Sequence, residues 1–120
     1  MSLEQGTTLL HNPRCSKSRA ALAMLEERSV EFTVREYLEE PLSREELGLL
    51  QGLLDLAPME WTRTGEAEWG ESGLTPGAAP GEVLDAIAAA PRLLQRPILI
   101  SGGAALVGRP PERLLQLLEG

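Results

Sequence analysis

The sequence predicts an α/β fold built on a mixed sheet, in the element order β-α-β, a helical insertion, then β-β-α. Two observations predict it. Residues 7–37 run from a short apolar stretch through a helical pattern into an alternating stretch, the order of a βαβ unit with parallel strands. Residues 97–107 hold two apolar stretches joined by Gly102-Gly103, which reads as a hairpin and adds antiparallel strands. With 120 residues, 42% hydrophobic and 24% charged, the chain has the composition of one globular domain covering residues 1–120. A chain of this length buries roughly two-thirds of the surface its unfolded form exposes, so its core needs neither a disulfide nor a structural metal.

Each element has its own signal. Thr7-Thr8-Leu9-Leu10-His11 is β-prone at its start and is stopped by Asn12-Pro13, as a buried strand is. From Ser16 to Arg28 the pattern is helical, with Ala21, Leu22 and Leu25 on one face and good helix formers between them. Phe32-Thr33-Val34-Arg35-Glu36-Tyr37 alternates apolar and polar side chains, the pattern of a half-buried strand. Ser43-x-x-Glu46 is a capping box, and Leu47, Leu50 and Leu54 continue a helix that closes near Ala57-Pro58. Residues 61–80, rich in Gly, Pro, Thr and Glu, read as loop with a short helix, where Trp61 and Trp69 are expected to pack onto the core. Val83, Leu84 and Ile87 mark a helix ended by Pro91. Strands follow at Pro97–Ile100 and Ala104–Val107, and Gly108-Arg109-Pro110-Pro111 stops the second. Leu114, Leu115, Leu117 and Leu118 then give a last helix one apolar face.

Charge and cysteine usage narrow the function. Eighteen acidic against eleven basic side chains give a net charge of −7, which opposes binding to nucleic acid and to anionic membranes. No run reaches the ~18 apolar residues of a membrane span, and Met1 to Gly6 lacks the basic and apolar regions of a secretory signal. The expectation is a cytoplasmic monomer with no nucleic-acid or membrane partner. Cys15 is the only cysteine, which excludes an internal disulfide, a four-cysteine zinc site and a self-resolving dithiol, and fits a reducing compartment.

Cys15 sits where the first strand hands over to a helix N-terminus. Unpaired backbone N–H groups and the positive end of the helix dipole favour the thiolate there, and Arg14, Lys17 and Arg19 add positive charge. Ser18, on the first helical turn, can point its hydroxyl back toward the sulfur. It stands where a thioredoxin-like redox motif has a second cysteine, so an oxidised Cys15 must be resolved by a thiol from another molecule. Free cysteines are often buried and structural; the strand end, Asn-Pro turn and helix start set this one apart.

His11-Asn12-Pro13-Arg14-Cys15-Ser16-Lys17-Ser18-Arg19, with Arg96-Pro97-Ile98-Leu99-Ile100 and Gly108-Arg109-Pro110-Pro111-Glu112 far downstream, resembles the glutaredoxin-dependent arsenate reductase family. The resemblance runs from about Thr7 to Leu118, in the version of the short Cys-Ser-Lys-Ser subgroup, which differs from the Gly-Thr of better-known members at Ser16-Lys17 and lacks their longer tail after Gly120. It implies a thioredoxin-like fold with an inserted helical segment, and a cysteine that attacks arsenate held by three arginines. By motif these are Cys15 as nucleophile and Arg63, Arg96 and Arg109 as oxyanion ligands. Guanidinium forks hold tetrahedral oxyanions bidentately and lower a neighbouring thiol's pKa, so such a set makes chemical sense together, whereas each arginine alone reads as a solvated loop residue. Arg28, Arg44, Arg92 and Arg113 are read as surface. The family also carries a histidine and a serine at the positions of His11 and Ser18, thought to help tune the thiol. His11 is either a general base or a strand-end side chain that biases the site electrostatically near neutral pH. The fold further implies a cis Arg96-Pro97 bond beside the thiol.

The resulting expectation is an arsenate reductase with no bound metal or organic cofactor, using glutathione as co-substrate and glutaredoxin to regenerate Cys15. Two alternatives stand beside it. One is a monothiol glutaredoxin-like oxidoreductase acting on glutathione mixed disulfides. The other is a non-catalytic regulator that binds RNA polymerase, like the related Spx-type proteins, although Ser18 removes the second cysteine of their dithiol switch.

Overall fold

A computed structural model describes residues 6–118. β1 (Thr7–His11), α1 (Ser16–Glu27) and β2 (Thr33–Glu36) form the βαβ unit, and β1 and β2 pair in parallel with His11 opposite Glu36. The helical insertion comprises α2 (Arg44–Leu54), a 3-10 turn at Pro58–Trp61, α3 (Ala67–Ser72), α4 (Pro80–Ala89) and a second 3-10 turn at Pro91–Leu93. β3 (Ile98–Ser101) and β4 (Ala104–Val107) then form the hairpin, followed by a 3-10 turn at Pro111–Leu114 and the short α5 (Leu115–Leu118). The strand order is β2-β1-β3-β4, with β3 antiparallel to both β1 and β4. Gly102 and Gly103 both have positive φ, +61° and +81°, which a two-residue hairpin turn of the favoured twist requires.

Alternation along the central strands loads both faces of the sheet. Leu10, Ile98, Ile100 and Ala105 join Leu47, Leu50 and Leu54 of α2, Val83, Leu84 and Ile87 of α4, and Trp61 in the larger core. Leu9 and Leu99 face the other way, onto Ala21 and Leu25 of α1 and onto Leu114. Each fully buried leucine or isoleucine contributes about 1.5–3 kcal/mol relative to exposure. Trp61 is fully buried and its indole N–H donates to the Leu56 carbonyl, while Trp69 packs against the same core.

Two elements differ from their sequence signals. β2 is an edge strand, two residues shorter than its alternating pattern, and Val34 is 40% exposed rather than turned into a core. Its security comes from charge: Arg35 makes a bidentate pair with Glu46 (2.7 and 3.0 Å) and donates to the Glu40 and Pro41 carbonyls, tying the edge to the start of α2. The same carboxylate closes the capping box with Ser43, and Arg35 holds it below the usual carboxylate range. The last helix begins as a 3-10 turn, with Pro110 as its N-cap residue and Pro111 at its first position, where the missing N–H would have had no partner.

Candidate active site

The site lies where parallel β1 and β2 end. After His11 the chain turns tightly: the Cys15 N–H donates to the Asn12 carbonyl (3.0 Å) and the Arg14 N–H to Asn12 Oδ1 (2.9 Å). Cys15 thereby becomes the N-cap residue of α1, in extended backbone geometry, with its carbonyl accepting the Arg19 N–H (3.0 Å). The thiol is half-buried. Burial pushes its pKa up, but the N–H groups of Ser18 and Lys17 and the Arg96 guanidinium facing the sulfur outweigh burial and hold the pKa below the ordinary thiol value. Lys17 thus acts through its main chain. Arg14, Lys17 and Arg19 are exposed, and Arg19 donates to the Pro13 carbonyl instead.

Ser18 is fully buried, and its hydroxyl does not turn to the sulfur as the sequence suggested. It accepts the Asn12 N–H (3.0 Å) and sits 2.7 Å from His11 Nδ1, two partners that satisfy it on the far side of the turn. With its lone pair engaged by Asn12, the hydroxyl is free to donate to an unprotonated Nδ1. Burial lowers the His11 pKa, with Arg19 in the same direction and with Glu36 and Ser18 opposing, which agrees with a neutral ring. His11 is 4% exposed and braces the turn that carries Cys15, its Nδ1 bonded to Ser18 rather than to the sulfur.

The hairpin delivers two cations to the thiol. Ile98 pairs with Val107, so the residues just beyond the hairpin's open end, Arg96 and Arg109, come together. Arg109 Nε donates to the Arg96 carbonyl (3.0 Å) and its Nη2 lies 3.9 Å from Cys15 Sγ. The Arg96-Pro97 and Arg109-Pro110 bonds are both cis, the first as expected and the second not foreseen. Between these corners Gly108 donates its N–H to the Pro97 carbonyl (2.8 Å), and a Cβ there would lie 2.9 Å from Leu114 and Pro97 side-chain carbons. Among the described residues the buried Nε of Arg96 has no hydrogen-bond partner.

Arg63 stands differently. Its Nε pairs with Glu66 (3.2 Å) and its Nη1 donates to Gln95 Oε1 (3.0 Å), while its N–H is held by the Leu93 carbonyl (2.7 Å). Gln95 Oε1 also accepts the Arg96 N–H (3.2 Å), so one amide links the Arg63 loop to the thiol-side arginine. A cavity of about 340 Å³ opens there, lined by Thr62–Glu66 and Gln95. The cleft of about 490 Å³ between α3 and α4 shares no residue with the thiol and is lined by Glu68, Glu71, Glu82 and Asp85, a poor environment for an anion. Among the described residues no group of three His, Cys, Asp or Glu side chains could hold a metal ion, and no helix is long and apolar enough to cross a membrane.

Against known families, residues 10–117 match the model of the ArsC family. The chain belongs to that family. Similar ArsC relatives include an arsenate reductase of Neisseria meningitidis serogroup A, 43% identical over 112 residues that cover 92% of this chain and 96% of the relative. An uncharacterized protein of Escherichia coli K12, YfgD, is 38% identical over 92% of this chain and 94% of its own. The solved structure of an arsenate reductase from Vibrio cholerae superposes with a TM-score of 0.88 at 37% identity, covering 93% of this chain and 97% of that one. The mixed four-stranded sheet is the thioredoxin-like fold of these ArsC structures.

Within this ArsC chain three residues that local sequence did not single out line the same corner. Asn12 shapes the thiol turn, Gln95 joins two arginines, and Tyr37 is a fully buried phenol whose hydroxyl has no partner. The signal for Tyr37 was the parallel pairing itself: one residue past the His11–Glu36 pair, it falls beside Asn12.

Proposed function

We propose that the protein is an arsenate reductase that uses glutathione and glutaredoxin in the cytoplasm. The observation that carries this reading is a single activated thiol at the start of α1 with the guanidinium groups of Arg96 and Arg109 converging on it. A tetrahedral oxyanion docks against those arginines, with Arg63 beside them, and the helix N-terminus and cations offset the repulsion between anion and thiolate.

The chemistry balances with two thiols. The Cys15 thiolate attacks arsenic(V) and displaces a hydroxyl, which leaves as water, giving a sulfur–arsenic adduct. The glutathione thiolate then attacks the Cys15 sulfur. The sulfur–arsenic bond breaks with its electron pair on arsenic, which leaves as arsenite, arsenic(III), while Cys15 and glutathione become a mixed disulfide. Glutaredoxin's thiol removes the glutathione and returns Cys15 as a thiolate. His11 and Ser18 keep the turn in place rather than exchange protons with the anion.

The test is NADPH consumption coupled through glutathione reductase, glutathione and glutaredoxin, with arsenate added last. A rate that needs arsenate and is lost in Cys15→Ser is expected. No arsenate-dependent rate from protein whose Cys15 still alkylates rapidly at neutral pH would overturn the reading, and turnover of a small glutathione mixed disulfide by that protein would then favour a monothiol oxidoreductase.

A further inference from the structure

Three buried side-chain polar atoms in the described residues lack a hydrogen-bond partner, and two of them, Tyr37 Oη and Arg96 Nε, belong to the thiol corner. Both carry a hydrogen to donate. Buried polar groups are nearly always satisfied, and the Tyr37 hydroxyl feels the charges of both Arg96 and Cys15, so two open donors share the corner of the nucleophile. Tyr37 has no solvent exposure. It is fixed by the sheet: β2 runs parallel to β1, and the residue after Glu36 reaches the same end as Asn12 and the Cys15 turn. The Asn12 side chain lies close enough to the hydroxyl to lower its pKa but does not meet it in hydrogen-bond geometry, and its Oδ1 accepts the Arg14 N–H.

We propose that Tyr37 is an oxyanion ligand of this site, its hydroxyl donating a hydrogen bond to the substrate oxygen that also meets Arg96 Nε. The assignment rests on the oxyanion-binding reading above and adds to it a neutral donor buried beside the thiol turn. Burial raises the phenol's pKa more than the Arg96 and Arg63 charges and the Asn12 side chain lower it, and the Cys15 charge raises it further, so the hydroxyl keeps its proton at neutral pH. A protonated phenol adds no charge. It orients one oxygen of a tetrahedral anion so that the opposite face of the central atom meets the sulfur.

The experiment is protection of Cys15 from iodoacetamide by arsenate, measured in the wild type and in Tyr37→Phe, together with the pH dependence of alkylation and the melting temperature without arsenate. Tyr37→Phe removes one oxygen and keeps the ring. About ten times more arsenate for half-protection is expected, the loss of one hydrogen bond to an anion, with the melting temperature equal or higher because an unpartnered donor is gone. Equal half-protection in the two proteins overturns the proposal and leaves the reductase reading standing. A lowered melting temperature with unchanged protection also overturns it and makes the hydroxyl structural. Absence of protection in the wild type overturns both readings at once.

Discussion

Arg96 and Arg63 are both partly buried arginines at one end of the sheet, yet the protein treats them oppositely. Arg63 is spoken for: Glu66 neutralises it, Gln95 caps it, and Arg92 joins the same carboxylate from the other side (3.1 Å). Among the described residues Arg96 forms no ion pair with a carboxylate and keeps a buried Nε without an acceptor, and its guanidinium favours the Cys15 thiolate. The difference teaches that a cation's capacity to bind a ligand depends on which of its donors the fold leaves open. By that measure Arg96 and Arg109 keep donors open toward the thiol, whereas Arg63 is held by an internal anion.

Substitutions at the two arginines separate these roles. Cys15→Ser sets the scale with a loss of at least about a thousandfold in arsenate turnover, as for removal of a nucleophile. Arg96→Ala is expected to lower kcat/KM for arsenate by about a hundredfold. It also shifts the alkylation profile of Cys15 to higher pH, since a cation that favours the thiolate is gone. An unshifted profile would mean that the helix start alone activates the thiol. Arg63→Ala is expected to cost only about threefold to tenfold in KM, because its guanidinium is already paired with Glu66, and Glu66→Gln to lower KM by about twofold to threefold by freeing the guanidinium. A loss at Arg63 as large as at Arg96, read from the same steady-state assay, would erase the contrast.

The smallest effect concerns the brace under the thiol turn. The His11 pKa is lowered on folding, so the unfolded chain binds the proton more readily. Stability from the neutral ring is therefore present above pH 6.5 and is lost as pH falls from there through the depressed folded value. Urea midpoints are expected to fall modestly between about pH 7 and about pH 5, and His11→Gln is expected to flatten that slope. A slope unchanged by the substitution would assign the pH dependence to other groups.

Most of the fold was legible because apolar runs and turn residues are local signals. The β1 stop at Asn12-Pro13, the Ser43 capping box and the Gly102-Gly103 turn each act within a few residues, and each stands where the sequence put it. The edge character of β2 was not legible, because alternation tells which residues share a face and not whether anything covers it. The site divides in the same way. Cys15 was readable from its place at a helix start. The meeting of Arg96 with Arg109 follows once the hairpin register is known, whereas the restraint of Arg63 depends on Glu66 and Gln95, residues with no motif of their own. Tyr37 looked like one more strand residue, since its significance lies in the parallel neighbour and not in its own surroundings along the chain.

Gly108 carries a consequence of its own. It touches neither sulfur nor anion, yet its missing side chain lets the open end of the hairpin close until Pro97 and Leu114 fill the space where a Cβ would stand. The two guanidinium groups hang from either side of that closure. Gly108 therefore acts as the gauge that sets the spacing of the two guanidinium groups, and a single methyl group placed there would wedge them apart without altering either arginine.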